Sequence, residues 1–165
     1  WRRALAQVPQ ESYLFPGTVA DNIAYGTADA TDAEVQAAVE RIGALGVIGT
    51  IPGGFNARVG ERGRGLSSGQ RQIIALARAE MLTPAVLLLD EATATLDPAT
   101  ERAVLDASDR AMAGRTSVVV AHRLATAARA DRILVIDEGR IIEDGCHEDL
   151  ISAGGRYAHM WAVNR

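Results

Sequence analysis

Apolar residues run in short unbroken blocks in some parts of this chain and at helical spacing in others. Val86-Leu87-Leu88-Leu89, set between Pro84 and the acids Asp90 and Glu91, reads as a strand buried on both faces of a parallel sheet. Residues 4–8 read as a short strand that stops at Pro9, which cannot donate to a ladder, with Gln10 just beyond. Residues 117–121 read as a second buried strand and residues 133–136 as a third, followed by Asp137-Glu138-Gly139-Arg140 as a hairpin turn into Ile141 and Ile142. Elsewhere the period is helical. Thr31-Asp32-Ala33-Glu34 is a capping box, and Val35, Ala38, Val39, Ile42 and Leu45 follow on one face. A longer helix is expected from Ser67 to about Leu82, with Ile73, Ile74, Ala77 and Met81 turned inward. Asp97-Pro98 gives an N-cap and a first-turn proline to a helix ending near Gly114. Short helices are expected at 18–25, after His122-Arg123 to about 129, at 148–152 and at 157–163. Glycines from Gly43 to Gly54 break the pattern, and residues 56–65 show no apolar periodicity. The order, a mainly helical insert at about 11–82 and then alternating strand and helix, predicts an α/β fold with a parallel sheet.

Composition narrows this picture. The 165 residues, 48% hydrophobic, suit one domain or a large part of one. A net charge of −4 provides no electrostatic footprint for nucleic acid or an anionic membrane surface, so no nucleic-acid partner is expected. The apolar runs are too short to span a bilayer. Cys146 is the only cysteine, which excludes an internal disulfide and suits a reducing compartment. The chain opens at Trp1 without Met or a signal segment, and it is expected to be a fragment of a longer protein. All 17 basic residues counted as Lys+Arg are arginine. With no lysine, these residues cannot form a Walker A P-loop, whose lysine reaches the terminal phosphates of a nucleotide. Gly114-Arg115-Thr116 is the nearest imitation, but Asp109 stands where the first glycine belongs.

Candidate chemistry collects at strand ends. Gln10, Asp90 and His122 each follow a predicted strand, and a parallel sheet would bring them to its carboxyl edge, where ligands bind in such folds. Asp90 is suited to hold Mg²⁺, and the adjacent Glu91 to orient or deprotonate a water. His122 can donate to a phosphate oxygen, and the Gln10 amide can touch both metal and water. The plain alternative is that the acids end a strand and that His122 and Gln10 are surface residues. Ser67, Ser68, Gly69 and Gln70 open the long helix, whose free amides form a seat for phosphate; the plain alternative is an ordinary serine cap. Gly65-Leu66-Ser67-Ser68-Gly69 also fits the G-x-S-x-G elbow of α/β-hydrolases, with Ser67, Asp90 and His122 in that family's order. An elbow must follow a strand, and residues 58–64 are charged and glycine-rich instead.

Taken together these residues resemble the nucleotide-binding domain of an ABC transporter of the exporter type. Leu66 to Gln70, with Arg71-Gln72, resembles the LSGGQ signature; Val86 to Glu91 resembles the Walker B strand with its catalytic glutamate; Thr93 to Asp97 resembles the D-loop; Ala121-His122-Arg123-Leu124 resembles the switch-histidine segment. Val8-Pro9-Gln10 through Leu14-Phe15-Pro16-Gly17-Thr18 is similar to the exporter Q-loop, and Gly60-Glu61-Arg62-Gly63 to the segment near the coupling helices of the membrane domain. The likeness covers almost the entire chain in the family's order. Departures are Ser68 for a signature glycine, Ala94-Thr95 for Ser-Ala in the D-loop, and Ile73 where arginine is frequent.

The resemblance implies a P-loop NTPase (RecA-like) fold whose N-terminal part, with Walker A, the adenine-stacking aromatic and the β-rich subdomain, would precede Trp1. Residues 1–10 and 83–165 would belong to the RecA-like core, and 11–82 to the Q-loop and helical signature subdomain. It further implies ATP and Mg²⁺ as cofactors, with Gln10, Asp90, Glu91 and His122 serving ATP bound in cis. Ser67, Ser68, Gly69, Gln70 and Asp97 would close over the ATP of a second nucleotide-binding domain. Transmembrane domains would be the other partner, at the cytoplasmic face of the cell membrane. The chain alone is expected to be inactive. The alternatives are a soluble ABC ATPase of the DNA-repair type and, more remotely, the hydrolase.

Overall fold

The computed structural model describes residues 4–90 and 97–164. The chain divides into two compact units, Trp1–Val118 and Val119–Arg165.

The first unit is built on a sheet in which β1 (Leu5–Val8) pairs in parallel with β4 (Val86–Asp90), Leu5 opposite Val86 and Val8 opposite Leu89. A parallel pair needs a crossover, and here residues 11–82 provide it. That segment contains α1 (Val19–Ala24), α2 (Asp32–Arg41), α3 (Leu45–Gly49) and α4 (Ser68–Met81). A two-stranded antiparallel ribbon joins β2 (Gly17–Thr18) to β3 (Arg58–Val59). After β4 come α5 (Pro98–Met112) and β5 (Thr116–Val120), and the sheet order is β1-β4-β5. The helix α4 is central, packing against α1, α2, α5 and β1. Its Ile73, Ile74, Leu76 and Ala77 are buried, as are Val8, Ile23, Val39 and Leu87 around them. Ile73 occupies fully buried space, which explains an apolar residue at that position.

The helices start where their caps stand. Thr18 with Asp21, Thr31 with Glu34 and Ser67 with Gln70 form reciprocal capping boxes, and Asp97 caps α5 ahead of Pro98. At their ends, three expectations are corrected. Gly43, with φ of +70, ends the α2 segment, so Leu45 begins α3 and is 38% exposed instead of lying on the inner face of α2. Met81 is half-buried, not turned fully inward. The strand β5 is not buried on both faces: Val118 is 53% and Val120 57% exposed. It lies at the end of the order β1-β4-β5, and an apolar run does not say how many neighbours a strand will have.

In the second unit, β6 (Ile133–Asp137) and β7 (Arg140–Gly145) form an antiparallel hairpin. Glu138 and Gly139 both take positive φ in its turn, as a two-residue primed turn requires. The helices α6 (Leu124–Ala127), α7 (His147–Ala153) and α8 (Arg156–Val163) complete the unit. Ile133, Val135, Leu150 and Tyr157 form its core, with Leu124 and Met160 packed on them.

Candidate functional site

The signature residues sit at the open end of α4. Ser67 has extended backbone, and its hydroxyl accepts from the Gln70 amide at 3.2 Å while the Ser67 amide donates to Gln70 Oε1 at 2.9 Å. Gln70 Nε2 reaches on to the Thr50 hydroxyl at 3.2 Å, tying the start of α4 to the end of α3. Arg71 donates from Nη1 to the Leu66 carbonyl at 2.7 Å and fixes the approach from the other side. Gly63 makes room for it: a Cβ there would come within 2.5 Å of Arg71 Cδ, and its φ is +76. Helix geometry leaves the Ser68 and Gly69 amides without a carbonyl one turn back. They project from the end of a 14-residue helix, an arrangement that favours an anion. Ser67 follows the turn Glu61–Gly63, not a strand, so the elbow that a hydrolase nucleophile needs is not built here.

Two further candidates follow the carboxyl ends of the paired strands β1 and β4. Because Val8 is opposite Leu89, Asp90 and Gln10 leave their strands on the same side. Asp90 is half-buried and Gln10 exposed. Glu91 and residues 92–96, which include most of the D-loop resemblance and the Ala94-Thr95 departure, lie outside the described residues. Asp97 accepts from the amides of Ala99 at 3.1 Å and Thr100 at 3.0 Å. Those contacts, the Thr100 side chain first and then its amide, hold the Asp97 carboxyl below its usual range. His122 belongs to the second unit, exposed, two residues after β5 and ahead of α6.

A groove of about 260 Å³ opens beside the segment that follows Gln10, lined by Pro9, Tyr13, Phe15, Tyr25, Arg78 and Leu82. Phe15 stacks on Tyr25 at 4.2 Å and meets Tyr13 edge-on at 5.0 Å. Beneath them Asn22, 1% exposed, donates to the carbonyls of Phe15 and Thr18 and accepts from the Phe15 amide. Arg78 donates to Asn22 O at 2.8 Å and to Tyr13 O at 3.0 Å. Neither residue figured among the sequence candidates. The available signal was an asparagine on the buried stripe of α1, next to Val19 and Ile23, since a polar side chain there must find partners.

Comparison with known proteins extends this geometry. The chain is 49% identical over 99% of its length to the multidrug efflux ATP-binding/permease protein of Mycobacterium bovis, of which it spans 14%. It is 46% identical over 99% of its length to the human ATP-binding cassette sub-family B member 6, spanning 20% of it. With the ATP-dependent lipid A-core flippase of Xanthomonas campestris it shares 44% identity over 96% of its length, covering 27% of that protein. A solved structure, that of a bacterial Atm1-family ABC exporter with ATP bound, superposes at a TM-score of 0.87 with 46% identity, over 98% of this chain and 28% of that one. These 165 residues therefore span about a quarter or less of the curated relatives they match. The family model described as ABC transporter matches residues 1–94, more than half of the chain, which takes in the signature turn and the acidic strand; the chain belongs to the ABC transporter family.

Proposed function

We propose that the chain is the C-terminal part of the ATP-binding domain of an exporter, and that it contributes to two composite ATP sites. The observation that carries this reading is the Ser67–Gln70 end of α4, a capped helix with its first amides open, in a chain so similar to an ATP-bound exporter. One half-site is the sheet edge: Asp90 and Gln10, with Glu91 and His122 as the sequence assigns them. The other is the signature turn with Asp97, which closes over ATP held by a second nucleotide-binding domain. Residues 1–10 and 83–165 make up the core and 11–82 the helical part, a division supported by β1 and β4 pairing directly across the insert.

No three of His, Cys, Asp and Glu gather as a metal cage among the described residues. Mg²⁺ does not need one, because it is held by one or two carboxylates together with substrate phosphates, and Asp90 with the Gln10 amide suits that role. Bound there, the ion would neutralise charge on the phosphates. Glu91 orients and deprotonates the attacking water, His122 donates to the γ-phosphate, and the amides of Ser68 and Gly69 receive phosphate oxygens from the partner's nucleotide.

No helix among the described residues is long and apolar enough to cross a membrane; the membrane domains of an exporter are, in this reading, partners of this unit, as the likeness to exporters suggests. They dock, in this reading, on the aromatic groove and the adjoining Gly60–Gly63 turn at the cytoplasmic face. The two lie side by side: β2 pairs with β3, and Gly63 abuts Leu14. The 165 residues alone contain no Walker A lysine and turn over no ATP. In the complete protein, Glu91→Gln is expected to lower ATP turnover by about 100-fold or more while nucleotide still binds. Turnover near wild type would remove Glu91 from the role of general base.

A further inference from the structure

Glu80 is the one charged residue in the buried set of the described residues. It sits next to the last residue of α4, on the helix face that also carries Ile73 and Ala77, and is 5% exposed. Its Oε1 accepts from Arg41 Nε at 2.7 Å and its Oε2 from Arg115 Nη2 at 2.9 Å. Arg41 is the last residue of α2, and Arg115 immediately precedes β5. One carboxylate thus joins three elements that are remote in sequence. The Arg115 side chain is itself mostly buried, at 17% exposure, and its Nη1 has no hydrogen-bond partner among the described residues. Next to this cluster, Arg110 of α5 lies over Gly43 in the turn after α2, where a Cβ would come within 2.9 Å of the guanidinium carbon.

An apolar side chain at position 80 would pack in the same place. Apolar contact has no direction, so it would hold α4 without fixing how far the helix slides or turns. A buried carboxylate is costly unless paired, and what a pair adds is geometry: two charge-assisted hydrogen bonds aimed along fixed lines to α2 and to the start of β5. The other end of the same helix is Ser67–Gln70, and a shift at one end of a continuous helix reappears at the other.

We propose that Glu80 is a positioning residue for ATP turnover, a clasp that holds α4 in one axial register against α2 and β5 so that its N-terminal amides meet phosphate at one place. Glu80 touches no substrate. The proposal rests on the reading of Ser67–Gln70 as a phosphate-contacting end.

The test separates fixing geometry from adding stability. In the complete protein, Glu80→Gln leaves two arginines without a counter-charge, and both the thermal midpoint and kcat are expected to fall. Replacing all three residues together, Glu80→Met with Arg41→Met and Arg115→Met, removes the desolvation cost and is expected to restore the midpoint. With the directional bonds gone, kcat at saturating ATP should stay lowered by about tenfold, the scale of loss that a small misplacement produces. Should the triple variant fail to fold, Arg41→Met alone, which removes the half-exposed partner, is expected to lower kcat by about threefold, well below its thermal midpoint. Recovery of wild-type kcat along with the midpoint, or full kcat in both Glu80→Gln and Arg41→Met, would overturn the clasp. Failure of the underlying reading has a different signature, namely ATP turnover that is undiminished in Ser68→Asp, at the other end of α4.

Discussion

Gly155 lacks a side chain where Glu143 needs the space. A Cβ at Gly155 would fall on the Glu143 carboxylate, which accepts from the amides of Arg156 at 2.5 Å and Tyr157 at 2.8 Å. A residue on β7 thus does the capping that Gly155, the N-cap of α8, cannot do for itself. Gly155→Ala is expected to displace that carboxylate and to cost about 1–2 kcal/mol at the start of α8. Hydrogen exchange at the Arg156 and Tyr157 amides should then speed up by about tenfold, while amides in α4 keep their wild-type rates. Unchanged exchange at residues 156 and 157 would mean the cap is not held by Glu143. Sequence does not reveal this contact, because Glu143, whose carboxylate accepts, and Arg156, whose amide donates, are 13 residues apart and nothing local links them.

Capping boxes, by contrast, are legible because both partners stand within four residues of each other. The Thr31-Glu34 box, and likewise the Asp97 cap followed by Pro98, mark the starts of α2 and α5 in the local sequence. The ends were harder to read, since a helix stops where tertiary packing turns the chain. α2 stops at Arg41, ahead of Gly43 and the overlying Arg110. The cap of α5 also carries a pH dependence. Its Asp97 has a folded pKa held below the ordinary 3.8, so its stabilisation is present above that value and is lost as pH falls through the depressed folded value. Asp97→Asn keeps an acceptor for the Ala99 and Thr100 amides but does not titrate in this range. Thermal melts should show the wild-type midpoint falling further than that of the variant as pH drops below 3.8. Parallel curves would show that the carboxylate contributes nothing through its charge.

At the level of the whole chain, the parallel pairing and the order of motifs were readable because each motif is a local pattern with a fixed chemical reason. Which strands become neighbours was not. Ile133 and Val135 face a core while Leu134 is 45% and Ile136 65% exposed, although the four look alike as a sequence block. The alternation of the two faces depends on what packs against the hairpin, and a run of aliphatic residues contains no record of that. The candidate site divides in the same way. The structure brings the carboxyl ends of β1 and β4, which lead to Gln10 and Asp90, to one sheet edge and sets Ser67–Gln70 on a capped helix end, and the functional reading rests on that helix end meeting phosphate. Ser68→Asp tests it most directly. A carboxylate in the first turn favours the helix by about 0.3–1 kcal/mol, so a merely structural end would tolerate or welcome it. A phosphate seated on the same amides would be repelled. ATP turnover of the complete protein is expected to fall by about tenfold or more with no loss in thermal midpoint. Undiminished turnover in that variant would contradict the assignment of this helix end to the nucleotide.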